Sequence, residues 1–86
     1  MQRAVLEQIL RQQAGVTPKE GGFVVTEAAL LDLLASVGQE VLTIPKLREI
    51  RLEEAYLAAS TDKMETFFLE YEEVRALRVK PGAGKA

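Results

Sequence analysis

Ser60-Thr61-Asp62-Lys63-Met64-Glu65-Thr66-Phe67-Phe68-Leu69-Glu70-Tyr71 is the stretch on which the fold turns. Read with period two, Phe67, Leu69 and Tyr71 share one face and Thr66, Phe68 and Glu70 the other, after a turn at Thr61-Asp62-Lys63. Read with helical spacing, Asp62 caps a helix with Glu65 as a capping-box partner, and Met64, Phe67, Phe68, Tyr71, Val74 and Arg78 line up along it. The turn chemistry and the adjacent aromatics favour the strand, and a helix would leave Leu69 exposed.

The strand reading spreads in both directions. Residues 47–52 and 55–60 become strands, and residues 74–79 a last one with Leu77 and Val79 inward. Glu40-Val41-Leu42-Thr43-Ile44 is a strand ended by Pro45, which cannot donate to a ladder. Phe23-Val24-Val25 is a short β-favouring run. Under the helical alternative, residues 46–59 form a helix of strong helix formers, and the chain becomes a four-helix domain or a helix-turn-helix variant.

The N-terminal part reads as helical. In residues 2–13, Val5, Leu6, Ile9 and Leu10 form one apolar stripe, with Gly15 as a stop. Residues 16–22 are rich in turn formers and read as a loop. Thr26 offers an N-cap for a buried helix over residues 27–37, apolar almost all round, which Gly38 ends from the C′ position. The expected fold class is therefore α+β, with N-terminal helices packed on a small antiparallel sheet or barrel; the alternative is an all-α four-helix domain. Residues 1–80 make one domain, and residues 81–86, Lys80-Pro81-Gly82 onward, read by composition as a mobile tail.

In this layout residues 30–79 resemble the Sm-like small β-barrel family. The likeness runs through Leu33-Leu34-Ala35-Ser36-Val37-Gly38, Gln39-Glu40-Val41-Leu42-Thr43-Ile44, Ile50-Arg51-Leu52-Glu53-Glu54-Ala55-Tyr56-Leu57 and Phe67-Phe68-Leu69-Glu70-Tyr71-Glu72-Glu73-Val74-Arg75-Ala76-Leu77. The resemblance implies a helix followed by five strongly bent strands, and ring assembly through edge strands. Where RNA-binding members carry a polar loop residue and a basic pair, this chain has Glu53-Glu54-Ala55 and Glu70-Tyr71. Acidic residues where phosphate should lie argue against RNA.

Composition narrows the chemistry. With 86 residues the chain buries only about 60–65% of its unfolded surface, a thin core that association with a copy of itself would supplement. The absence of cysteine removes disulfides and thiolate sites, and the absence of histidine removes the usual general base and nitrogen ligand. Neither Ser36 nor Ser60 therefore has a base to activate it, and no catalytic residue is assigned. The acidic groups Glu49/Glu53/Glu54, Asp62/Glu65 and Glu70/Glu72/Glu73 lack the glycine-centred spacing of a calcium loop and read as solvated charge, so no metal or other cofactor is expected. The net charge of −2 gives no basic excess for nucleic acid. No apolar run is long enough to span a bilayer, and Arg3, Glu7 and Arg11 interrupt any signal sequence, so a cytoplasmic location without membrane contact is expected.

What remains is association. Alternation puts Phe67 and Phe68 on opposite faces, so one of them needs a cover. The expected function is a non-enzymatic protein–protein interaction module, a homo-oligomer with itself as partner or with another protein. Phe68, Tyr56 and Tyr71, with Val5 and Ile9 on the first helix, are its contact residues. The alternative is nucleic-acid binding through Arg48, Arg51, Arg75 and Arg78.

Overall fold

The computed structural model describes residues 1–82 as one helix and eight strands. Helix α1 spans Arg3–Arg11, and the strands are β1 (Val16–Lys19), β2 (Gly22–Val25), β3 (Ala29–Val37), β4 (Glu40–Ile44), β5 (Leu47–Leu52), β6 (Tyr56–Thr61), β7 (Thr66–Glu70) and β8 (Val74–Pro81). A short 3-10 turn, Tyr71–Glu73, joins β7 to β8. Every pairing is antiparallel, in two sheets ordered β1-β2-β5-β6-β7 and β4-β3-β8. The sheets meet through β3 with β2 and β5. Among the described residues no helix is long and apolar enough to cross a membrane.

The strand reading from residue 40 onward matches the structure, and the all-α alternative does not. Two expectations upstream are corrected. Residues 27–37 are not a helix but the central strand of the smaller sheet. Its spelling is apolar on both faces, a pattern that a buried helix shares. The burial alternates nonetheless: Ala29, Leu31, Leu33 and Ala35 are buried in the core, while Leu30 is exposed and Leu34 half-buried on the other face. Gly38, read as a helix stop, instead makes the two-residue turn between Val37 and Glu40, at φ 63°. Residues 16–22 are not a plain loop either. They hold β1 and a Glu20-Gly21 turn, with Gly21 at φ 81° and Lys19 opposite Gly22.

Val79, expected inward, is exposed near the end of β8, whereas Leu77 packs against the core. Pro81 belongs to β8, and the Gly82 N–H donates to the Ala28 carbonyl, so the expected tail begins later than residue 81. The rest of that tail, residues 83–86, lies outside the described residues.

Helix α1 depends on the sheets. It is nine residues long without a side-chain N-cap, too short to persist alone in water. Leu6 and Leu10, one turn apart, are wholly buried in the same cluster as Phe23, Leu31, Leu33, Ile50 and Leu57. Burying the pair contributes roughly 3–6 kcal/mol, comparable with the whole margin of a small domain. The Arg11 guanidinium lies 5.6 Å from the Phe23 ring centre and pairs with Glu7 at 2.9 Å.

One polar group sits inside the apolar strand. Asp32, only 6% exposed, accepts from Arg78 Nε at 2.9 Å and Nη2 at 2.6 Å, and its other oxygen accepts the Lys46 N–H at 3.1 Å. It thus joins β3, β8 and the bend between β4 and β5. Lys46 stands at φ 56° there, a left-handed conformation that a side chain adopts at a cost of about 1–2 kcal/mol. The Lys46 carbonyl accepts the Asp62 N–H at 3.0 Å, tying the same bend to the β6–β7 hairpin. Burial alone would raise the Asp32 pKa. The Lys46 N–H, the Arg78 hydrogen bond and the charges of Arg78 and Lys80 outweigh it and hold the carboxyl below its ordinary 3.8.

Two predictions follow from these contacts. Because the Asp32 pKa is depressed on folding, its stabilisation is fully present above pH 3.8 and is lost as the pH falls through the lower folded value. Asp32→Ala is expected to lose about 1–3 kcal/mol at neutral pH and to lack that acid step, as read by urea unfolding against pH. At Gly22 a Cβ would lie 2.1 Å from the Ile50 carbonyl oxygen, backbone that cannot swing aside. Gly22→Ala should therefore cost about 1–3 kcal/mol, and an unchanged urea midpoint would contradict so close an approach of β2 to β5.

Candidate functional site

The β6–β7 hairpin is built around Thr61, whose hydroxyl accepts the Lys63 and Glu65 N–H groups at 3.2 and 3.3 Å. Asp62, Lys63 and Met64 form its three-residue loop, with Met64 at φ 65° in the position glycine usually fills. The register that follows sets Ala58 opposite Phe68 and Leu57 opposite Leu69. Phe67 and Leu69 turn inward, half-buried and 5% exposed, and Phe68 turns outward at 69%. This is the alternation that the sequence implies.

Tyr56 sits diagonally from Phe68 across the hairpin. Their ring centres are 6.1 Å apart at an interplanar angle of 60°, an edge-to-face pair that contributes about 0.5–1.5 kcal/mol. Ala58 is small enough for the Phe68 ring to lie over it, and it is only 5% exposed although on the outer face. Tyr56 remains 42% exposed, so the pair forms an apolar step on the solvent side of the five-stranded sheet. Acid lies at the end of that step and along β7, with Arg51 opposite Ala58 on the other side. Glu53 and Glu54 occupy the β5–β6 turn, Glu70 lies opposite Tyr56, and Glu72 and Glu73 follow.

The other expected contact residues are placed differently. Tyr71 is half-buried against the core, and its hydroxyl donates to the Glu53 carbonyl at 2.5 Å. Burial lifts its phenol pKa above 10, with Glu53 and Glu7 adding to the rise and Arg3 opposing it. Tyr71 therefore braces the β5–β6 turn. Val5 is 43% exposed and Ile9 half-buried on α1, while Leu6 and Leu10 take the inward positions.

The four arginines do not form one patch. Arg48 and Arg51 stand on β5, Arg75 and Arg78 on β8 in the other sheet. Arg51 pairs with Glu53 at 2.8 Å, and Arg78 is bound by Asp32. Arg75 is exposed. Among the described residues no three carboxylates converge as metal ligands. Sequence reasoning missed Asp32 as a partner for Arg78, although a lone carboxylate inside Leu30-Leu31-Asp32-Leu33-Leu34 was the signal.

Neighbouring positions test the face assignment. In dilute solution Phe68→Ser should change stability by less than about 1 kcal/mol, whereas Leu69→Ser should cost about 2–5 kcal/mol. Equal losses in thermal melts would mean that both side chains are buried.

Comparison with protein-family models, with curated protein sequences and with solved structures returned no match.

Proposed function

We propose that this chain is a non-enzymatic interaction module that joins to copies of itself, the β7 edge of one copy lying against the β8 edge of the next. The observation that carries the reading is a pair of unpaired strand edges with opposite charge. Among the described residues each of β7 and β8 has one strand neighbour only. Around β7 stand Glu65, Glu70, Glu72 and Glu73 together with Phe68, and along β8 stand Arg75 and Lys80, with Arg78 held by Asp32.

An unpaired edge is a template for another strand, and proteins that avoid pairing blunt it with proline or lysine. Strand β1 is blunted in this way by Pro18 and Lys19, while β4 carries only Glu40 as a charge. The β7 edge has neither device, and on β8 Lys80 and Pro81 take the last two positions, so the stretch available for pairing is residues 74–79. Strand addition would satisfy its backbone, cover Phe68 and set acid against base, which favours the pairing and its orientation. Such head-to-tail contacts close into rings when the rotation per copy permits, the assembly that the Sm-like resemblance implies. Nucleic-acid binding is less supported, since two of its four arginines are engaged by Glu53 and Asp32.

Light scattering coupled to gel filtration tests the reading. The wild type should run as an oligomer that dissociates as salt rises, and Phe68→Ser should shift it toward monomer. Glu70→Lys with Glu72→Lys, and separately Arg75→Glu with Lys80→Glu, should each weaken assembly when alone. A monomer at about 100 μM in low salt would end the proposal.

A further inference from the structure

The β2–β3 connection, the bend between β4 and β5 and the β6–β7 hairpin surround a cavity of about 340 Å³. Buried Val25 and Leu47 line its apolar part, and Glu27, Lys46, Arg48 and Asp62 supply charge of both signs. None of these four belongs to an ion pair of the described residues, which are Arg11–Glu7, Lys19–Glu49, Arg51–Glu53 and Arg78–Asp32.

Backbone irregularity gathers at the same corner. Lys46 and Met64 are the only non-glycine residues at positive φ among the described residues, and Met64 shares its three-residue loop with Asp62. The one register shift in β5 falls between Leu47 and Glu49, at Arg48. A bulge re-aims a side chain, and strained residues persist where surrounding contacts over-determine them, both common beside binding sites. Lys46 is held in this way from both sides, by the Asp32 carboxylate on its N–H and the Asp62 N–H on its carbonyl.

We infer that this cavity binds a small zwitterion with an apolar body, the chemistry of an apolar α-amino acid. Its carboxylate pairs with Lys46 and Arg48, its ammonium with Glu27 and Asp62, and its side chain lies on Val25 and Leu47. A simple anion would meet the two carboxylates, and a simple cation the lysine and arginine. All four charged residues are exposed in the free chain, and an uncharged ligand seated among them would displace their water without offering a partner. The volume lies near the lower end of small-molecule sites, about 300–1,000 Å³, and suits one amino acid better than a peptide. Neither strand edge of the assembly proposed above takes part, so the two readings stand or fall separately.

Titration of the ¹⁵N-labelled chain with L-leucine, hexanoate and hexylamine, followed by NMR, tests this. Leucine should give saturable shifts of the amides around residues 25–30, 46–48 and 62, with a dissociation constant of about 0.1–10 mM. Hexanoate and hexylamine should each bind about tenfold more weakly, as should leucine to Arg48→Gln and to Glu27→Gln. Lys46→Gly keeps the bend and relieves its strain, so it should melt higher than the wild type while binding leucine about tenfold more weakly. No saturable shift at these amides would overturn the inference. So would hexanoate binding as tightly as leucine, or wild-type leucine affinity in both Lys46→Gly and Arg48→Gln.

Discussion

The Asp32 carboxylate is the constraint around which the two sheets are arranged. It stands in the middle of β3, receives the Arg78 guanidinium from β8 and holds the Lys46 N–H at the point where the chain leaves the smaller sheet for the larger. A hydrophobic residue in its place could pack, but it could not hold a lysine in a left-handed conformation. From that bend β5 enters the larger sheet, with Leu47 and Ile50 buried. The Arg78 side chain is half-exposed, so the pair is worth less as bare attraction than as geometry.

Around this tie the core is thin and shared. Leu6 and Leu10 from the helix, Phe23 and Val25 from β2, Leu31 and Leu33 from β3, and Ile50 and Leu57 from the larger sheet belong to one buried cluster. A chain of this length has little surplus with which to absorb errors. That is why a single Cβ at Gly22, against the Ile50 carbonyl, weighs so heavily. It also explains why a helix without a cap can persist: its two leucines are part of the cluster rather than a decoration on it.

Much of this was legible in the sequence, in an uneven way. Strands β4 to β8 could be read because their inward and outward positions differ in polarity, as at Phe67, Phe68 and Leu69, and because Thr61-Asp62-Lys63 carries a turn. Strand β3 could not be read as a strand. A strand spelled apolar on both faces loses the polarity alternation that marks a strand, and Thr26 and Gly38 imitate helix ends. Strand β1 was hidden because Pro18, Gly21 and Gly22 signal turns, and an edge strand tolerates them. Of the candidate site, Phe68 and Tyr56 were found by alternation alone. Tyr71 was taken as a contact residue although period two already set it on the inward face with Phe67 and Leu69, where it packs against the core. The cavity had no sequence signal, since Glu27, Lys46 and Asp62 come from three separate connections and Arg48 from β5, and only the fold brings them together.

The pairing of β3 with β8 sets positions 29 and 81 side by side, so the smaller sheet closes only when nearly the whole chain is available. Such non-local pairing is slow, and during synthesis β3 has β4 on one side but waits for β8 on the other. In that interval Ala29-Leu30-Leu31-Asp32-Leu33-Leu34-Ala35, apolar but for Asp32, has one edge open to stacking with copies of itself. A single charge at its centre is what interrupts such stacking. Before Arg78 has been made, Asp32 is therefore already useful, as a gatekeeper of the nascent chain; afterwards the same carboxylate becomes the tie that closes the sheet.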